Sequence, residues 1–358
     1  MTSAWSGHLK YQIVNRDYDD IEHLLDFRLM TENRWGAWDA QMHYEVLSLY
    51  SDTPQRLPND KLRLFNLTDE WGNSDKLEAV HRLDRLFVGY SGEQLVLRLG
   101  RQAVTWGNGL IFQPLDIFSP FSPTEIDKDY KTGDDMLYGQ WLFENGNDLQ
   151  MILLPRRHPD TEQVESDQSS LAFKYHGIDQ ADFDLLLARH YDENVFGIGL
   201  SKDIAEAVWR LDISLTWLKE GNKALSLVSN IDYSWVWFDK NFYGYLEYFR
   251  NGLGETQRAK YLSPDPALQS RLQRGEIYTL GRDYLGSGLQ IELTPLFNLY
   301  SNWIGNLHDS SGIFQIRGIY DWMENVQLIV WLDLAYGDKG TEFGEAVDSA
   351  YFRLIYYF

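Results

Sequence analysis

Along most of this chain apolar and polar residues alternate with a period of two. In "VWRLDISLTWL" Trp209, Leu211, Ile213, Leu215 and Trp217 share one face, and Arg210, Asp212, Ser214 and Thr216 share the other. "QLIVWLDLAY" sets Leu328, Val330, Leu332, Leu334 and Tyr336 against Asp333. "IFQIRGIYDW" sets Phe314, Ile316, Tyr320 and Trp322 against Gln315, Arg317 and Asp321. "AWDAQMHYEV" sets Trp38, Met42, Tyr44 and Val46 against Asp39, Gln41, His43 and Glu45. Successive side chains of a strand point to opposite faces, so each stretch predicts a strand with one apolar and one polar side.

The apolar stripes tend to carry Trp or Tyr at their ends and aliphatics between. A membrane-spanning barrel strand has this profile, with aromatic girdles at two interfaces and a lipid-facing band. Short connections such as "ENRWG", "SGEQ", "NGND", "FDKN" and "MEN" fall between longer, mostly acidic ones at 51–82, 103–135, 156–168, 251–274 and 337–348. Sorting of short turns and long loops to opposite ends is the outer-membrane arrangement. The pattern predicts an all-β, transmembrane, antiparallel up-and-down barrel of about eighteen strands, with sixteen as the alternative count. Residues 1–358 form one domain, with no linker, helical heptad or repeat. Arg189 and Arg250 fall on the lipid-facing parity and are expected near a rim, because Arg is costly at mid-membrane.

Composition narrows the partners. The 53 acidic against 32 basic residues give a net charge of -21, which argues against nucleic acid, since a phosphate backbone is bound by clustered Lys and Arg. No cysteine is present, so disulfides and thiolate metal sites are excluded. Aromatics reach 15%, as strands and membrane interfaces favour. No apolar run is long enough for a spanning helix. The start "MTSAWSGHLKYQ" has no basic and apolar leader; the expectation is a bacterial outer-membrane protein whose leader has been removed.

The chain ends "SAYFRLIYYF", with Phe352, Leu354, Tyr356 and Phe358 on one face. This resembles the C-terminal signal that Gram-negative outer-membrane barrels present to their insertion machinery. "RLGRQAVTWG", Arg98 to Gly107, resembles an Arg-x-Gly-Arg-Gln…Trp-Gly segment of porin-like families that include the alginate-export type. That likeness implies an eighteen-stranded barrel, contact with outer-membrane lipid and lipopolysaccharide, and, for the alginate-export type, an arginine-rich lumen conducting anions. The mixed charges of the lumen face depart from the last point.

Alternation assigns Arg28, Asp39, His43, Glu45, Arg98, Gln102, Arg210, Asp212, Asp232, Arg317, Asp333 and Arg353 to the lumen. Mixed signs there read either as pairs that satisfy one another or as a selectivity lining; balanced signs predict weak ion selectivity, tilted to cations by the acidic loops. The stretch 103–135 leaves the strand pattern altogether. Glycines at 107 and 109 permit a sharp turn, prolines at 114, 120 and 123 exclude a ladder, and its large apolar side chains are too many to leave in water. It is expected to fold into or over the barrel mouth. Trp106, Asn108, Phe112, Asp116, Phe118 and Phe121 are its candidate constriction residues, and the aromatics are candidate stacking surfaces for a solute. Asp127, Asp129, Asp134 and Asp135 are weak candidates for a hard cation, with a solvated acidic loop as the plainer reading. No cofactor is implied. "HDSSG" reads as a hairpin turn rather than a catalytic triad, so no enzyme is expected. The favoured function is a porin-like channel for small solutes or an export substrate; the alternatives are a non-conducting scaffold in an envelope export assembly and a soluble all-β carbohydrate-binding protein.

Overall fold

A computed structural model of the chain describes residues 2–16, 20–52, 57–125 and 130–358. Its strands are β1 (Thr2–Arg16), β2 (Asp20–Trp35), β3 (Trp38–Tyr50), β4 (Thr68–Asn73), β5 (Leu77–Ser91), β6 (Leu95–Gln102), β7 (Asp134–Leu142), β8 (Asp148–Leu154), β9 (Ser170–Ile178), β10 (Asp182–His190), β11 (Glu193–Ile204), β12 (Ala207–Trp217), β13 (Lys223–Trp237), β14 (Lys240–Arg250), β15 (Asp283–Thr294), β16 (Phe297–Asn306), β17 (Gly312–Met323), β18 (Val326–Tyr336) and β19 (Ser349–Tyr357). All but β4 pair antiparallel with their neighbours in one closed ring of eighteen, and β1 lies between β2 and β19.

β4 is a rider. β5 pairs with β6 over Leu86–Ser91 and with β4 over Glu78–Arg82, so β4 takes the lane that β6 vacates. The expected loop 51–82 therefore contains β4 and the start of β5. Alternation fails there for a local reason. A register shift opposite His43 and Tyr44 turns the adjacent Asp84 and Arg85 both inward, which breaks the period of two.

Two further expectations need correction. Long loops do gather at one end, but that end also carries the short connections 191–192, 218–222 and 307–311. Within 251–274 lie a 3-10 turn and the helix α1 (Pro266–Arg274). The signals for α1 are in the sequence "DPALQSRLQRG". Asp265 caps the helix by accepting the Ala267 N–H at 2.9 Å, Pro266 opens it, and Gly275 closes it at φ 69.

The wall sorts its side chains as alternation requires. Leu97, Leu99, Leu187, Leu246, Val330, Leu332 and Phe352 are exposed on the outside. Trp5, Trp35, Trp38, Trp141, Trp237 and Trp322 ring the turn end, and Tyr50, Trp217 and Tyr336 mark the loop end. Arg189 and Arg250 both sit at the loop end of their strands, the latter 3.1 Å from Asp283 and the former paired with Asp192.

The ring closes where β1 pairs with β19, and Phe358 extends that seam by one pair. Gly7 donates to the Phe358 carbonyl at 2.9 Å and accepts the Phe358 N–H at 3.0 Å. The Phe358 ring lies over Gly7 and stacks on Phe27 at 6.1 Å; a Cβ at Gly7 would stand 2.5 Å from that ring. Gly7→Val is expected to displace the ring and cost about 1–3 kcal/mol, read as a lower temperature for the folded-to-unfolded gel-mobility shift in detergent.

Candidate functional site: the lumen and the segment folded into it

β6 to β10 have only 7 to 9 residues, against 13 to 16 in β1, β2, β3 and β5. The segment 103–133 leaves the wall at this low side, from the end of β6. Trp106 donates its indole N–H to Gln150 at 2.8 Å, an inward residue of β8. Trp106, Leu115 and Phe118 then pack with Met136, Tyr138, Ile152, Leu154, Ala172, Leu186 and Val195 on the inner wall of β7 to β11. Ile111 and Phe112 reach further, to Val228, Phe249, Tyr284, Ile304 and Ile313 on β13 to β17. Phe112 stacks on Phe249 with centroids 4.4 Å apart.

Two inward carboxylates hold the turn "GNGLIF". Asp212 on β12 accepts the Asn108 backbone N–H at 2.6 Å and its side-chain amide at 2.8 Å. Glu247 on β14 accepts the backbone N–H groups of Leu110, Ile111 and Phe112 at 2.6, 3.0 and 2.8 Å, and Asn230 Nδ2 at 3.0 Å. Glu247 is fully buried. A segment without strand partners leaves backbone donors unpaired, and these carboxylates satisfy them. The wall also makes room. At Gly197 on β11 a Cβ would come within 2.5 Å of Leu115 Cδ2.

The return of the segment meets the opposite wall, which is charged. Arg28 donates to Asp84 at 2.8 Å and to Glu45, Arg82 donates to Glu45, and Arg85 donates to Asp84 at 2.9 Å. The Tyr130 ring lies 4.3 Å from the Arg28 guanidinium and 5.3 Å from Lys10 Nζ, flanked by the rings of His8 and His43 at 5.4 and 6.3 Å. Beside it, Lys131 reaches Asp116. Burial pushes the Asp116 carboxyl up to about 6 despite that ammonium, and burial also lowers Lys131.

Of the other lumen candidates, Arg210 pairs with Asp232 at 2.6 Å and Gln315 donates to Asp333 at 2.9 Å. Arg317 lies over Tyr300 at 4.6 Å; Arg353 lies over Trp331 at 5.0 Å and donates to Gln12. Asp39, Arg98 and Gln102 line a polar recess of about 620 Å³ with Arg85. Trp106, Phe112, Asp116 and Phe118 are 2–5% exposed and Phe121 is half-buried. Burial removes Trp106, Phe112 and Phe118 as stacking surfaces for a solute; they anchor the segment. Of the cation candidates, Asp134 is taken by Arg156 and Asp135 by Arg101, while Asp127 and Asp129 lie outside the described residues. Among the described residues no group of three His, Cys, Asp or Glu stands close enough to hold a metal.

At the loop end a second cluster fastens α1 across the mouth. Glu276, just past the helix, lies 3.2 Å from His190 Nε2 and 2.6 Å from Arg274 Nε, and Arg271 is bound by Glu193 at the start of β11. Arg274 and Arg156 lie over the Tyr191 ring at 4.0 and 4.9 Å. Neither this cluster nor Tyr130 is legible in the sequence, because each brings together residues from distant parts of the chain.

Two predictions follow from this geometry. Glu247→Gln turns an amide N–H2 towards backbone donors that need an acceptor, at about 1–3 kcal/mol for each donor left unpaired. Limited proteolysis of the intact barrel is expected to cut within 103–133 in this variant and to spare the parent. Burial works to raise the Glu276 carboxyl, but His190 and Arg274 outweigh it and hold it at about 2, below its usual 4.5. A depressed carboxylate stabilises the fold above its unfolded pKa and loses that contribution as pH falls. A loss on the order of 3 kcal/mol is expected as pH falls from about 4.5 to 2, seen as an acid-dependent drop in melting temperature that Glu276→Gln flattens.

No family model matches the chain, and no curated protein does. Solved structures do. The chain is similar to OccK11 (OpdR) of Pseudomonas aeruginosa, with TM-score 0.59 and 12% identity over 99% of this chain and 95% of that one. It is similar to OccAB2 of Acinetobacter baumannii, with TM-score 0.58 and 11% identity over 100% and 98%. It is also similar to a BenF-like porin of Pseudomonas fluorescens, with TM-score 0.56 and 12% identity over 99% and 98%. At these identities the likeness is one of fold, and it spans both chains from end to end: this chain has the closed eighteen-stranded barrel of those proteins.

Proposed function

We propose that this protein is a bacterial outer-membrane channel that passes small solutes through a polar lumen narrowed by the segment 103–133. The observation that carries the reading is the pairing of an apolar, aromatic-girdled outside with a charged inside in one closed ring. An outside of this kind is stable in lipid and costly in water, which disfavours the soluble carbohydrate-binding alternative. A polar inside has no role in lipid unless water fills it.

The segment is held in place by Asp212 and Glu247 and packs on both sides of the lumen, so it acts as the constriction. Solutes diffuse past it, and the width it leaves selects by size. Most lumen charges are spent on one another, which supports weak ion selectivity. The likeness in fold to a BenF-like porin supports a channel over a scaffold. The closer resemblance to the alginate-export type rests on Arg98 to Gly107 alone. Contact of the C-terminal strand with the insertion machinery and of the outer wall with lipopolysaccharide belongs to the same reading.

Planar-bilayer recording tests it. Stable conductance steps are expected from the parent, with steps about twofold or more larger after deletion of 109–125, since conductance follows the open cross-section. Silence from both proteins, each folded by the gel-mobility criterion, sinks the channel reading and leaves the scaffold.

A further inference from the structure

The inner wall is not uniform. β1 to β6 carry the interlocked arginines and carboxylates, whereas β14 to β19 carry something else. Reading the pairing register strand by strand, one inward row runs Tyr243, Gln290, Tyr300, Arg317, Trp331, Tyr351, one residue from each of six adjacent strands. Inward residues in register on neighbouring strands lie about 5 Å apart, so the row is a continuous belt. The next row adds Tyr245 and Asn302, with Gly288 between them in register. Tyr245 donates its hydroxyl to Asn302 Oδ1 at 3.1 Å, which leaves the Asn302 amide N–H2 to face elsewhere. Tyr243, Tyr245, Gln290, Tyr300, Asn302 and Arg317 border an open cavity of about 1430 Å³, part of it solvent, beside the constriction segment.

Its chemistry is specific. Both arginines near the belt have their faces engaged, Arg317 on Tyr300 and Arg353 on Trp331 with Gln12. Towards the cavity the wall offers phenol rings flanked by neutral amides, and the charged groups that also border it, Arg317, Arg353 and Glu125, are of both signs. Aromatic faces take apolar C–H surface, and amides and phenols pair with hydroxyls in either direction. A solute with both features on one rigid body is a pyranose ring. We infer that the part of the belt on β14 to β17 is a binding track for uncharged saccharides, which gives the proposed channel its substrate class and rests on that channel reading. The solute-facing aromatics are then those of the wall, while those of the folded-in segment are buried as anchors.

Calorimetric titration of the detergent-purified barrel with maltotriose tests this without needing conduction. Saturable binding is expected. Tyr243→Ala and Tyr300→Ala should each weaken it about three- to tenfold, the range for loss of one ring contact, and Tyr300→Phe should keep most of it. Unchanged gel mobility in each variant shows that the barrel is folded. Absence of heat from the parent, equal affinity in both alanine variants, or binding of benzoate with none of maltotriose overturns the inference. Steady conductance in a barrel that binds no saccharide removes the substrate class alone. Silent bilayers with saccharide binding remove the channel and leave the track as a binding site.

Discussion

The structure depends on a closed hydrogen-bonded ring. In hydrocarbon no water is available for an unpaired backbone N–H or C=O, so a sheet can cross only if it has no edge. Here that condition is met where the chain's two ends meet: β1 pairs with β19 along nine residues, and the final Phe358 completes the seam against Gly7.

A ring of eighteen strands encloses more space than inward side chains can fill. The chain resolves this with one long segment, and the physical difficulty is then the segment itself, which brings backbone donors into a confined space without strand partners. Asp212 and Glu247 answer four of those donors from the wall. Apolar anchors on either side fix its path. On the charged side, arginines and carboxylates are matched so closely that few charges are left to act on a passing solute. Buried pairs of this kind are weak sources of stability but costly to break singly, so they fix geometry. The neighbouring arc, β14 to β19 beyond the β1–β19 seam, carries phenols and amides beside Arg317 and Arg353, and a larger open cavity borders it.

The sequence by itself determined the wall. Alternation with a period of two assigns each strand an inside and an outside, and of the polar-parity residues Arg28, Glu45, Asp212 and Arg353 are buried in the fold. It also set apart 103–135 as a stretch that must pack on something, since Pro and Gly exclude a ladder and its apolar residues exclude water. Local capping chemistry at Asp265, Pro266 and Gly275 was there to be read as α1. Where the period breaks, at the bulge that turns Asp84 and Arg85 inward together, the strand and its rider β4 dissolved into an apparent loop. Only the tertiary structure decided what the segment touches, which aromatics are anchors, and which inward residues line up into a belt. Parity is a property of one strand, but register is a relation between strands, and it depends on the closure of the ring. That is why nothing in the sequence sets Glu247 apart, although it acts as a latch in the fold. It is also why "WGNGLIFQPLDIFSPFSP" could be marked as packed without its partners on β7 to β17 being named.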